Sequence, residues 1–88
     1  EFAILHKDVM LQHSVEIAQR ICNVVAYTPI ILDDGTKLNV SVSIGLSHQS
    51  LPFCVPFQQL INRADSALYE AKEKGRNRLC IEPDLRTT

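Results

Sequence analysis

Lys72 and Arg76 stand four residues apart at the end of the run RADSALYEAKEKGRN, Arg63 to Asn77, with Gly75 between them. Two cations so placed, one on a last helical turn and one just beyond a glycine, could share a single anion and suit a polyphosphate. The helix that would carry them shows in Leu60, Ile61, Ala64, Leu68 and Ala71. These recur at three- and four-residue spacing and predict one buried stripe, with Lys72, Lys74 and Arg76 outside it. Gly75 is placed to end that helix, because a glycine past the last periodic residue can take the left-handed conformation that redirects the chain at Arg76 and Asn77. Charge alone has a plainer explanation: basic residues in a last turn offset the negative end of the helix dipole, by roughly 0.3–1 kcal/mol each. The small-residue face at Ala64, Ala67 and Ala71 and the Gly75-Arg76-Asn77 exit are more than a dipole requires.

Other chemistry is less well supported. His6, His13 and His48 have no spacing to one another or to cysteine that matches a zinc site, and surface or hydrogen-bonded histidines are the default. Cys22, Cys54 and Cys80 are too few and too scattered for a disulfide framework, and their odd number leaves at least one thiol free, which fits a reducing cytosol. A net charge of −1 gives no reason to expect nucleic acid, whose binding rests on many phosphate-neutralising cations. No apolar run approaches the roughly 18 residues of a membrane span, so no membrane contact by this segment is expected, and nothing has the form of a secretion signal. With 45% hydrophobic and 22% charged residues the composition is that of a globular protein.

The 88 residues make one small domain or part of a larger one, with a thin margin of stability. Glu1 to His6 opens on the apolar run Phe2-Ala3-Ile4-Leu5, which suits a buried strand; its abrupt start suggests a natural chain cut inside an element. Asp8 could cap a helix whose core-facing stripe is Met10, Ile17, Ala18, Ile21, Val24 and Val25, ending near Tyr27 before Pro29. A brief strand at Ile30 to Leu32 leads into Asp33-Asp34-Gly35-Thr36, a hairpin signal. The long strand expected in return alternates Leu38, Val40, Val42, Ile44 and Leu46 against Asn39, Ser41, Ser43 and Gly45. Gly45 marks a place where a backbone or a ligand could come close; the plainer alternative is a half-exposed sheet face beneath a helix. Ser47 to Pro56 is a loop, the second helix begins near Phe57, and Leu79 to Ile81 is a last strand. Glu82 to Thr88 is expected to fray: a domain portion at 1–82 and a flexible tail at 83–88. The order strand, helix, hairpin, helix, strand is an α/β alternation.

Together, Glu1 to Leu5, Val42-Ser43-Ile44-Gly45, and Arg63-Ala64-Asp65 through Ala71-Lys72 to Gly75-Arg76-Asn77 resemble the GGDEF family of diguanylate cyclases, over nearly the whole chain and in order. The resemblance implies a nucleotidyl-cyclase palm-like (ferredoxin-like) α/β sheet flanked by helices, of which only the second half is present. It implies the condensation of two GTP into cyclic di-GMP in bacterial second-messenger signalling, with Mg²⁺ in the intact parent domain. Only Glu1 and Phe2 would remain of the family signature. By resemblance Glu1 is the catalytic acid near the reacting 3′-hydroxyl, and Lys72 and Arg76 are the basic pair on the GTP phosphates. Arg20 matches an arginine that completes a product-inhibition site in some members. Glu-Phe is also the dipeptide a common restriction site encodes, the other origin those two residues could have.

In the family the first metal-binding aspartate, the guanine-recognising residues and the inhibitory Arg-x-x-Asp precede this point, so no complete metal site is expected here and the fragment alone is expected to be inactive. Three readings follow. The parent is an active magnesium-dependent cyclase, or a non-catalytic module that senses GTP or cyclic di-GMP or serves dimerisation. The fragment itself, with an uncovered sheet edge, is expected to form a homodimer or strand-swapped oligomer. A cytoplasmic location is expected, with other domains of the parent as a conceivable membrane anchor.

Overall fold

A computed structural model describes residues 3–4, 10–49 and 55–82. The elements are α1 (Leu11–Tyr27), β1 (Ile30–Ile31), β2 (Lys37–Leu38), β3 (Ile44–Leu46), α2 (Phe57–Glu73) and β4 (Leu79–Ile81). β3 and β4 run parallel, with Ile44 opposite Leu79, Gly45 opposite Cys80 and Leu46 opposite Ile81. A parallel pair cannot be joined by a tight turn, and the crossover is α2, which packs on both strands. The ladder continues past the assigned ends: the Ile44 amide donates to the Arg78 carbonyl at 3.0 Å and the Glu82 amide to the Leu46 carbonyl at 2.9 Å.

Small residues set the distance between helix and sheet. Ala67 and Ala71 on α2 and Cys80 on β4 form a buried cluster. At Gly45 a Cβ would land against the Ala64 carbonyl oxygen and the Leu68 amide nitrogen, and 2.7 Å from the Leu68 Cα. The close approach that Gly45 permits is therefore that of the α2 backbone. Side chains alternate along a strand, so Ile44 and Leu46, with Leu79 and Ile81, turn to the face opposite Gly45 and Cys80.

α1 buries Ala18 and Cys22 and also touches β3 and β4. The Cys22 Sγ donates weakly to the Val42 carbonyl at 3.8 Å, and burial pushes its thiol pKa up. β1 and β2 form an antiparallel hairpin with Ile30 opposite Leu38. Its turn is closed by the Gly35 amide on the Leu32 carbonyl at 2.9 Å and the Leu32 amide on the Thr36 carbonyl at 2.8 Å, with Gly35 at φ +86. Hydrogen bonds from the Thr36 side chain and amide hold the Asp34 carboxyl below the usual carboxylate range.

Several expectations need correction. The long strand from Leu38 to Leu46 is divided: β2 and β3 belong to two separate two-stranded sheets, and residues 39–43 pair with no strand among the described residues. Perfect alternation supplies two faces, but a ladder also needs a neighbouring backbone. Ala3 and Ile4 carry no strand, and Ile4 is 70% exposed; the rest of the expected Glu1 to His6 strand lies outside the described residues. So does Asp8, while the N-cap position of α1 is held by Met10, which has no side-chain acceptor to offer. Met10 and Val24, placed in the core stripe, are exposed. Glu82, read as the start of a fraying tail, is buried; residues 83–88 lie outside the described set. The architecture is thus a small α/β arrangement of two helices and short strands.

Candidate functional site

The C-terminal end of α2 is built by its own backbone. The Arg76 amide donates to the Ala71 carbonyl at 2.9 Å and the Gly75 amide to the Lys72 carbonyl at 3.4 Å, the paired bonds of a Schellman motif with Gly75 at φ +118. The turn does not relax after the glycine: Arg76 and Asn77 follow at φ 63 and 48. Left-handed non-glycine residues cost free energy, of order 1–3 kcal/mol each, and cluster where a backbone is held for a purpose. Arg78 fastens the turn from outside, its Nε donating to the Arg76 carbonyl at 3.0 Å. Its Nη2 lies 3.0 Å from where a Cβ on Gly75 would stand.

The cations here are not equivalent. Lys74 is engaged by Glu70, Nζ to Oε1 at 2.7 Å, an i,i+4 pair. Arg63 faces Glu82 at 3.9 Å, and Arg78 is committed to the turn. Lys72 and the Arg76 side chain are exposed and enter no ion pair or side-chain hydrogen bond among the described residues. Those are the two cations the sequence singled out. Lys72 also lines a shallow cavity of about 200 Å³ with Asp65, Leu68 and Tyr69; Arg76 is not part of that lining.

Arg20 is exposed on α1, and Glu1 lies outside the described residues. No three His, Cys, Asp or Glu side chains among the described residues are grouped to hold a metal ion. No helix among them is long and apolar enough to cross a membrane.

Sequence reasoning missed two features. Glu82 packs under α2 with a side chain 5% exposed, facing Arg63, and its Oε2 has no hydrogen-bond partner. A lone carboxylate after an apolar strand reads as the start of a tail, and only its register on β3 reveals its burial. The other is the placement of Asp65 and Tyr69 beside Lys72. Their spacing of three, four and seven residues was the available signal, since such positions share a helix face.

A sequence model of the family described as "Diguanylate cyclase, GGDEF domain" matches residues 1–78. The chain is 39% identical over 85 residues to the protein YhcK of Bacillus subtilis, covering 92% of this chain and 22% of that protein. It is 35% identical over 81 residues to diguanylate cyclase A of Treponema denticola, covering 92% of this chain and 21% of the relative. With the response regulator PleD of Caulobacter vibrioides it shares 37% identity over 78 residues, covering 88% of this chain and 17% of the relative. The chain thus spans about a fifth of the length of these relatives. With a match over most of its length, and with the Lys72 to Asn77 turn built as described, this chain belongs to the diguanylate cyclase GGDEF domain family.

Proposed function

We propose that this chain is the phosphate-holding portion of a diguanylate cyclase domain, in which two GTP condense to cyclic di-GMP and two pyrophosphates leave. Each 3′-hydroxyl attacks the α-phosphorus of the other nucleotide. A phosphodiester bond forms, the bond to the β-phosphate oxygen breaks, and the hydroxyl proton passes to a base. The observation that carries this reading is the fixed left-handed turn from Gly75 to Asn77, which presents Arg76 one helical turn beyond Lys72 while neighbouring cations are occupied.

Lys72 and Arg76 bind the triphosphate and offset the negative charge that grows on the departing pyrophosphate. Glu1 is the acid beside the reacting hydroxyl in this reading, and Arg20 is a contact for bound product between domains. Magnesium enters through the family alone. No step is assigned to it. Because product formation joins two nucleotides, the working unit is a homodimer or strand-swapped oligomer, in the cytoplasm where GTP is available.

The test is the full-length protein with GTP and Mg²⁺, read as cyclic di-GMP formed. Lys72→Ala and Arg76→Ala should each lower kcat/KM by about tenfold to a hundredfold, the value of a charge-assisted hydrogen bond. Lys74→Ala should leave it within about twofold, as for an exposed helical pair. A well-folded dimer that forms no cyclic dinucleotide rejects the enzyme reading in favour of a nucleotide sensor.

A further inference from the structure

The turn of the β1–β2 hairpin contains the peptide bond Asp34-Gly35, where the chain can attack itself because glycine has no side chain to shield its nitrogen. The Gly35 amide nitrogen is the nucleophile and the Asp34 carboxyl carbon is the target. A nitrogen–carbon bond forms, the bond from that carbon to the acid hydroxyl breaks, and the hydroxyl leaves with the amide proton as water. A five-membered succinimide results. Water then reopens the ring: addition at the side-chain carbonyl restores aspartate, and addition at the main-chain carbonyl gives isoaspartate, with one more methylene in the backbone. Nothing but water leaves or enters.

Bulk does not protect this bond. Residues 33–36 are all exposed, and a Cβ on Gly35 would meet nothing within 4 Å. Hydrogen bonds do protect it. The Thr36 amide donates to Asp34 Oδ1 at 2.9 Å, and the Thr36 side chain and amide together hold the carboxyl below the usual carboxylate range. Ring closure expels a hydroxyl, so the ionised carboxylate is the unreactive form. The nucleophile is tied as well, by the bond from the Gly35 amide to the Leu32 carbonyl at 2.9 Å. Bringing nitrogen and carboxyl carbon together breaks both restraints. Both belong to one slight element: β1 and β2 have two residues each and pair only with each other. An isolated two-stranded hairpin is marginally stable, so it can open without the rest of the fold.

We propose that Asp34-Gly35 is a self-modification site, opened to isoaspartate formation by local unfolding of the β1–β2 hairpin and guarded in the closed hairpin by Thr36. The product cannot restore the register of Ile30 with Leu38, because the added methylene lies in the turn that sets it. A modified hairpin therefore stays open, and modified molecules accumulate with age, independently of any nucleotide chemistry.

The full-length protein should be incubated at neutral pH, native and in urea, with isoaspartate at position 34 followed by peptide mapping with electron-based fragmentation. The native protein should convert roughly tenfold to a hundredfold more slowly than the unfolded chain, the ratio expected for a marginal local opening. Thr36→Val keeps the branched shape and removes the hydroxyl; it should speed native conversion about twofold to tenfold and leave the rate in urea unchanged. Arg63→Ala, which weakens the contact to Glu82 and not the hairpin, should leave native conversion within about twofold. Equal native and unfolded rates would show that the turn guards nothing. A native rate unchanged by Thr36→Val removes Thr36 as the guard. If native wild type and Thr36→Val both stay unmodified while the unfolded chain converts, the hairpin does not open and the site is wrong. If Arg63→Ala accelerates conversion as much as Thr36→Val, the opening is global and the hairpin mechanism fails.

Discussion

Single side chains in this protein divide by whether their partner is local. The glycine-closed end of α2 that carries Lys72 and Arg76 was legible because a helical period followed by Gly75 encodes that geometry within one turn. Glu82 was not, because its environment is made by α2 and β3 rather than by its neighbours in sequence. Arg63→Ala leaves that buried carboxylate without its cation and should destabilise the fold by about 1–3 kcal/mol in denaturant titrations. The double variant Arg63→Ala/Glu82→Gln should recover part of the loss, since the charge that needed a partner is gone. Cys22 is a second case. Burial raises its thiol pKa in the folded state, so its contribution to stability is complete below about pH 8.5 and is lost as the pH rises into the thiolate range. Alkylation at neutral pH should be slow in the native protein and should accelerate on unfolding; equal rates in both states would contradict that burial.

The elements show why helices were easier to foresee than strands. α2 begins at Phe57 and ends at Glu73, as its apolar period and Gly75 imply. α1 ends at Tyr27 just before Pro29 for the same kind of local reason. The long strand failed because alternation is a property of one segment and a ladder is a property of two. Gly45 left two possibilities open, a ligand or a backbone, and the α2 backbone occupies the space. Gly45→Ala should cost at least about 1–3 kcal/mol, because the added methyl meets backbone atoms that have no rotamer to change. Thermal unfolding checks this. A midpoint unchanged by the substitution would mean that α2 does not sit on β3 as described.

As a whole, the described residues protect very little large apolar surface. Its buried hydrophobic residues are Ala18, Cys22, Ala67, Ala71 and Cys80, while Ile30, Ile31, Leu38, Val40 and Phe57 are exposed among the described residues. Exposed apolar side chains together with short, open-edged strands favour association. Light scattering of the 88-residue chain at micromolar concentration should therefore report a dimer or larger species, and a stable monomer would contradict it. The sequence by itself determined the two helices, the hairpin turn, the glycine-closed end of α2 and the family, because helical periodicity, turn chemistry and a contiguous motif act over a few residues. Only the tertiary structure decided where the long alternating segment pairs, what fills the space above Gly45, which cations stay unengaged and that Glu82 is buried. Each of those depends on backbones and charges brought together from distant parts of the chain, and no local pattern carries that information.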